Sequence, residues 1–185
     1  MINFKAHYVQ PVYVKDVKSD KYPQKQEVSL VKLDSSSFED LEAIEKVSED
    51  WGGLDTFAHD IKSTMSKEFY LPLKRANSKK EIYAITSQSD KFEKIDSNKV
   101  LGMMQIDQID SENCELDFIQ VEPDNMYGSA QKRYKHIGAA LISALIAINP
   151  NKNITVNSIG MARGFYEKLG FTKTEKNLRY IFKRF

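Results

Sequence analysis

One cysteine, Cys114, stands in 185 residues. A lone thiol closes no internal disulfide and cannot supply a paired-cysteine zinc site, so no metal is expected. Long apolar runs are missing too. The longest, residues 138–148, has eleven residues and includes Ser143, where a membrane span needs about 20. The opening stretch, MINFKAHYVQ, lacks the apolar core of a signal peptide. With the single thiol this predicts a cytoplasmic protein with no membrane partner. There is no excess of either charge: 27 Lys and Arg meet 26 Asp and Glu, for a net +1. A dedicated nucleic-acid binder usually carries a strong basic excess, so nucleic acid is not an expected partner. Internal repeats and low-complexity tracts are also absent.

What is present fits one globular domain over residues 1–185: 41% hydrophobic and 29% charged residues, both near the usual averages. The charge is unevenly spread. Residues 34–60 hold nine acids and one base, a net of −8, leaving +9 on the remainder. Two readings stay open: an anionic wall for a cationic ligand, or a solvated helix face. The C-terminal residues 172–185 hold five bases and one acid. Their aromatics Tyr180, Phe182 and Phe185 alternate as in a buried strand.

Residues 1–27 are the least legible, an N-terminal extension of unclear role in which Val12 and Val14 could form a short strand. Residues 27–33 alternate and predict a strand. Phe38, Leu41, Ile44, Val47 and Trp51 share one stripe of a helix that Gly52 and Gly53 stop. A second helix is expected over 56–67. Strands are expected over 81–87, 99–108 and 113–121, the last ended by Pro123. A helix over 138–149 stops at Pro150. A strand over 153–157, a helix over 161–169 capped by Gly170, and strands over 171–174 and 179–182 complete the chain. The order predicts a mixed α/β sheet with one βαβ crossover.

Two segments carry chemistry. In the first, Val121-Glu122-Pro123 ends a strand and Lys135-His136-Ile137-Gly138-Ala139-Ala140 opens a helix. In the second, Ala162, Phe165, Tyr166, Lys168, Gly170 and Phe171 spell Ala-x-x-Phe-Tyr-x-Lys-x-Gly-Phe. Together they resemble the GNAT superfamily of acetyl-coenzyme A-dependent N-acetyltransferases. The resemblance is direct over residues 99–174 and follows the element order from about residue 28. It implies a mixed, mostly antiparallel twisted sheet of about six or seven strands with about four helices. It also implies acetyl-CoA as co-substrate. The physics agrees: a helix N-terminus offers free N–H groups and a positive dipole end to a pyrophosphate. Gly138 allows close approach, Ala139 and Ala140 are nearly as small, and Lys132, Arg133 and Lys135 bring positive charge just ahead of the turn. By the resemblance, backbone groups of Ile119, Gln120 and Val121 pair with the pantetheine arm, and His136, Ile137 and Phe165 complete the cofactor contacts. The chain departs from the family in three ways. An insertion lies within 124–134. Lys135 and His136 stand where Arg or Gln and often Gly are usual. Ile159 stands where the family has Asn.

Acetyl transfer to an amine needs an amine proton removed, a carbonyl polarised and a leaving thiolate protonated. The resemblance makes Tyr166 the general acid. By the same resemblance Glu115, six residues before Val121 where the histone-acetylating branch of the family carries its glutamate, is the candidate base, and alternation puts Asp117 on its face. Cys114 alternates with Leu116 and Phe118 and reads as packed rather than as an acyl carrier. The first two helices of the family wall the acceptor site, so Trp51 among Glu45, Glu49, Asp50 and Asp55 is a candidate acceptor contact, equally a core residue. The expected function is acetyl transfer to a primary amine of a small molecule or peptide, with a cationic amine among the acceptors left open. The alternative is a coenzyme- or protein-binding module of the same fold without turnover. Tyr180-Ile181-Phe182 offers an edge for a homodimer or for pairing within the chain.

Overall fold

The computed structural model describes residues 5–18, 24–126, 128–158, 162–176 and 178–184. The elements, in chain order, are β1 (His7–Asp16), β2 (Gln24–Lys32), α1 (Phe38–Asp50), α2 (Phe57–Tyr70), α3 (Pro72–Ala76), β3 (Lys80–Thr86), β4 (Val100–Asp107) and β5 (Asn113–Val121). They continue with β6 (Tyr134–Lys135), α4 (Ile137–Ile148), β7 (Asn153–Asn157), α5 (Arg163–Lys168), β8 (Thr172–Lys173) and β9 (Arg179–Phe182). All nine strands form one sheet in the order β6-β1-β2-β3-β4-β5-β7-β9-β8. Each neighbouring pair is antiparallel except β5·β7, which the α4 crossover makes parallel.

Two apolar layers cover the sheet. One joins Val12, Leu30, Met104, Leu116 and Tyr180 to α4 and α5. The other joins Val31, Ala84 and Met103 to Leu41, Ile44 and Val47 of α1 and Ile61 and Met65 of α2. Helices α1 and α2 start on side-chain caps. Ser37 Oγ accepts the Asp40 N–H at 3.1 Å, and Thr56 Oγ1 accepts that of His59 at 3.4 Å. Helix α5 is shorter than expected and ends in a Schellman turn. Gly170 adopts φ +90°, its N–H bonds the Glu167 carbonyl at 3.1 Å, and the Phe171 N–H bonds that of Tyr166 at 3.1 Å. The expected start of that helix at Met161, and the Ile159 position, lie outside the described residues.

The sheet is larger than expected because residues 7–16 and 24–27 of the N-terminal extension are built into it. β1 pairs with β2 from His7↔Lys32 to Asp16↔Gln24. Pro11 is tolerated because β1 pairs on its other side only at Lys15 and Asp16, so most of it is an edge. Those two residues meet β6, within the loop before α4. That loop is therefore ordered by the N-terminal strand: Val17 N–H bonds the Arg133 carbonyl at 2.8 Å. Buried Asn125 closes its base, Oδ1 accepting the N–H groups of Arg133 at 3.0 Å and Tyr134 at 2.6 Å. Among the described residues no helix is long and apolar enough to cross a membrane.

Candidate active site

Strands β5 and β7 run together only from Asn113↔Asn153 to Leu116↔Val156. Beyond that point β5 stays with β4, from Gln105↔Phe118 to Gly102↔Val121. β7 stays with β9 through Asn157↔Arg179. The two parallel strands thus part, and Ile119, Gln120 and Val121, paired with β4 on one side, border the gap on the other, where no strand pairs with them among the described residues. A bulge sits where the parting begins: Gln105 pairs with Phe118 and Ile106 with Leu116, leaving Asp117 as the extra residue. It keeps Glu115 and Asp117 on the α2 face, as alternation predicted, and brings Phe118 there too, against Phe57 at 5.7 Å between ring centroids.

The open end of the parting meets the start of α4. His136 is its N-cap residue at φ +67°, and no side chain among the described residues caps the helix. This left-handed backbone explains why glycine suits the position. The N–H groups of Ile137, Gly138 and Ala139 precede the first intrahelical bond, Ala140 N–H to the His136 carbonyl at 2.8 Å. A Cβ on Gly138 would lie 3.4 Å from Phe165 Cζ and 3.7 Å from Val121 Cγ2. Val121, Gly138 and Phe165 therefore meet, and the two sequence motifs come together in space. A cleft of about 360 Å³ runs beside this end of α4, between Gln10–Tyr13 of β1 and His136, Ala139, Ala140 and Ser143.

Tyr166 lies behind Phe165. Its ring is 5.2 Å from that of Phe165 and 5.7 Å from that of Phe171, centroid to centroid. Burial pushes its phenol up to about 12. The three basic residues of the loop differ in their commitments. Arg133 Nε pairs with Asp16 at 3.4 Å and its guanidinium stacks 5.0 Å over Tyr134. Lys132 is half-buried, and Lys135 is exposed on β6.

On the α2 side of β5 lies a cleft of about 330 Å³ lined by Thr64, Lys80, Gln105, Glu115, Asp117 and Phe118, with Asn157 at its rim. Both oxygens of Glu115 are taken: Asn157 Nδ2 donates at 2.8 Å and Arg179 Nη2 at 3.2 Å. Glu115 thus braces β5 to β7 and β9. Asp117 accepts from Lys80 Nζ at 2.5 Å and from Gln105 Nε2 at 2.9 Å. Burial works against the Lys80 ammonium, but bonds and charges from Asp117 and Asp107 outweigh it and hold its pKa above the ordinary lysine value. Sequence reasoning missed Lys80, Gln105 and Arg179. Gln105 sits inside the apolar run of β4, where a polar residue was the available signal.

Trp51 is not at this cleft. It is 7% exposed, packed in the α1–α2 layer, because its place on the apolar stripe of α1 turns it inward. Glu42, Glu45, Glu49, Asp50 and Asp55 are exposed, so the acidic stretch is a solvated helix face. Cys114 is fully buried and its thiol is pushed up to about 11 by burial, as befits a packing residue.

A family model described as an acetyltransferase (GNAT) domain matches residues 57–180. No curated protein matches the chain in sequence. Among solved structures the chain resembles one assigned to the GNAT acetyltransferase family from Desulfovibrio desulfuricans, with 15% identity and a TM-score of 0.58 over 84% of this chain and 98% of that one. AtaTR bound with acetyl-CoA is similar at 14% identity and a TM-score of 0.52, over 84% and 92% of the two chains. An acetyltransferase from Streptococcus agalactiae is similar at 14% identity and a TM-score of 0.50, over 83% and 96%. At these identities the likeness is one of fold.

Proposed function

The chain belongs to the GNAT acetyltransferase family, and from that premise we propose that it moves an acetyl group from acetyl-CoA to a primary amine by direct attack within a ternary complex. One observation carries the reading: the parting of β5 and β7 opens directly onto the uncapped N-terminus of α4. The parting offers strand-like pairing from Ile119, Gln120 and Val121 to an extended amide chain. The helix end offers N–H groups and a positive dipole to phosphates, with no side chain on Gly138 to hold them off. Lys132 and Lys135 add positive charge, while Arg133 acts through the loop by tying it to Asp16.

Acetyl-CoA supplies an activated thioester. The amine nitrogen bonds to its carbonyl carbon, the C–S bond breaks, the nitrogen gives up a proton, and the thiolate gains one. Tyr166 supplies that second proton: a phenol pushed up to about 12 is fully protonated at neutral pH. For the first proton the geometry alters the expected assignment. Glu115 has both oxygens bonded to Asn157 and Arg179, so we assign it to bracing the strands, and the amine proton leaves to water in the open cleft.

The test is thiol release from acetyl-CoA against a panel of primary amines. Turnover with at least one amine, absent when the amine is N-methylated to a quaternary centre, is expected. Glu115→Gln should melt lower and keep the shape of the pH–rate profile. A profile that loses its acidic limb, where the rate rises with pH, would return Glu115 to the role of base. Binding of acetyl-CoA without transfer to any amine would favour the silent module instead.

A further inference from the structure

The α2-side cleft contains a buried group whose hydrogen bonding is incomplete. Gln105 is 1% exposed and lines the cleft. Its Nε2 donates to Asp117 Oδ2 at 2.9 Å, yet its Oε1 has no hydrogen-bond partner among the described residues. Reversing the amide would set a carbonyl against the carboxylate, so Asp117 fixes the oxygen as the open end. A buried acceptor left unmet is a standing penalty to the fold and calls for an explanation.

The surroundings supply one. Asp117 already holds an ammonium, that of Lys80 at 2.5 Å, and the same ammonium reaches Asp107 at 3.3 Å. Lys80 therefore has a second carboxylate to retire to. An incoming amine has N–H groups enough for both Asp117 and Gln105 Oε1. The two carboxylates that line the cleft, Asp117 and Glu115, are each answered by a cation, Lys80 and Arg179. A polycation would find little unopposed charge here. A volume of about 330 Å³ sits at the small end of the range for small-molecule sites.

We propose that Gln105 and Asp117 receive the acceptor amine, that Lys80 occupies their site until the acceptor displaces it, and that the acceptor is a small molecule with a single amine. This rests on the acetyl-transfer reading and names the residues that select its substrate.

The test uses the full chain, its Gln105→Met, Gln105→Glu and Lys80→Met variants, and four amines: glycinamide, ethanolamine, D-glucosamine and spermidine. Binding of each amine is read by melting temperature in the presence of coenzyme A, so no turnover is required. The KM is read by thiol release where turnover occurs. At least one monoamine should bind the wild type, bind Lys80→Met fivefold or more tightly, and bind Gln105→Met tenfold or more weakly. Gln105→Glu, which keeps an acceptor oxygen but sets a carboxylate against Asp117, should melt lower and still bind the amine, whose cation answers both carboxylates. The shift with acetyl-CoA should be equal in all four proteins. If Gln105→Met fails to fold, the gain in Lys80→Met decides. Effects of the same sign in the two methionine variants, no binding of any monoamine, or a clear preference for spermidine would overturn the proposal. Loss of the acetyl-CoA shift in the wild type would instead overturn the acetyl-transfer reading beneath it.

Discussion

Burial does two things at Tyr166. It packs the ring among Phe165, Phe171 and Tyr180, and it pushes the phenol up to about 12. The first effect survives removal of the hydroxyl and the second does not. Tyr166→Phe should therefore keep its melting temperature and its acetyl-CoA affinity while kcat falls about 100-fold. An unchanged kcat would leave Tyr166 as a packing residue. The motif residues were legible because each answers a local demand. Gly170 supplies the left-handed turn, and Phe171 meets Tyr166 across it as a Schellman turn requires. Gln105 and Asn125 were not legible. Their meaning comes from partners twelve residues away on β5, in one case, and from the two N–H groups of a returning loop in the other.

Among the elements, α4 is held against β4 by an absence of side chain. A Cβ on Gly102 would lie 2.8 Å from Ile137 Cγ2, 3.0 Å from Leu141 Cδ1 and 3.3 Å from the Gln120 carbonyl. Gly102→Ala should cost about 1–3 kcal/mol, measured by urea unfolding, because the backbone contact cannot yield. It should also weaken acetyl-CoA binding, since α4 would be levered from β5. An unchanged unfolding midpoint would show the contact to be looser than described. The start of α1 carries a pH signature. Asp40 is fully buried, and its Oδ2 accepts the Asp34 N–H at 2.9 Å. Burial, helped by the charges of Asp34 and Glu39 and opposed by backbone bonds from Asp34 and Ala6, raises its pKa from 3.8 to about 6. The folded chain thus holds this proton more tightly than the unfolded chain. The resulting stability is full below about pH 4 and is lost as pH rises through 6, on the order of 3 kcal/mol. In Asp40→Asn the fall in stability between about pH 3 and pH 7 should be smaller by that amount. Parallel curves for the two proteins would contradict it. Elements set by local signals, such as caps, stripes and alternation, were readable to within a few residues. β6 was not, because a two-residue strand exists only through its partner β1, and β1 was read only as a short strand around Val12 and Val14 because its full length is set by pairing with β2.

Across the whole molecule, one sheet carries two different faces and one break. Most of the acidic surplus of residues 34–60, buried Asp40 excepted, lies on exposed surface, not at the cleft where the two carboxylates are already paired. Composition revealed the asymmetry, but only packing shows which way the stripe of α1 turns. The parting of β5 from β7 was likewise invisible in the sequence: both strands read as continuous, and only the register shows where their pairing stops. Acetyl-CoA binding at this parting and the start of α4 is the step on which the proposed transfer rests. It is tested most directly by melting the wild type and Gly138→Ala with and without acetyl-CoA. At 100 times its Kd the ligand should stabilise the wild type by about 2.7 kcal/mol, roughly 5–10 °C. Gly138→Ala should melt at or above the wild type when unliganded, since the added methyl has room and favours the helix, and should lose most of the shift. No shift of the wild type at millimolar acetyl-CoA, or the same shift in both proteins, would contradict the account.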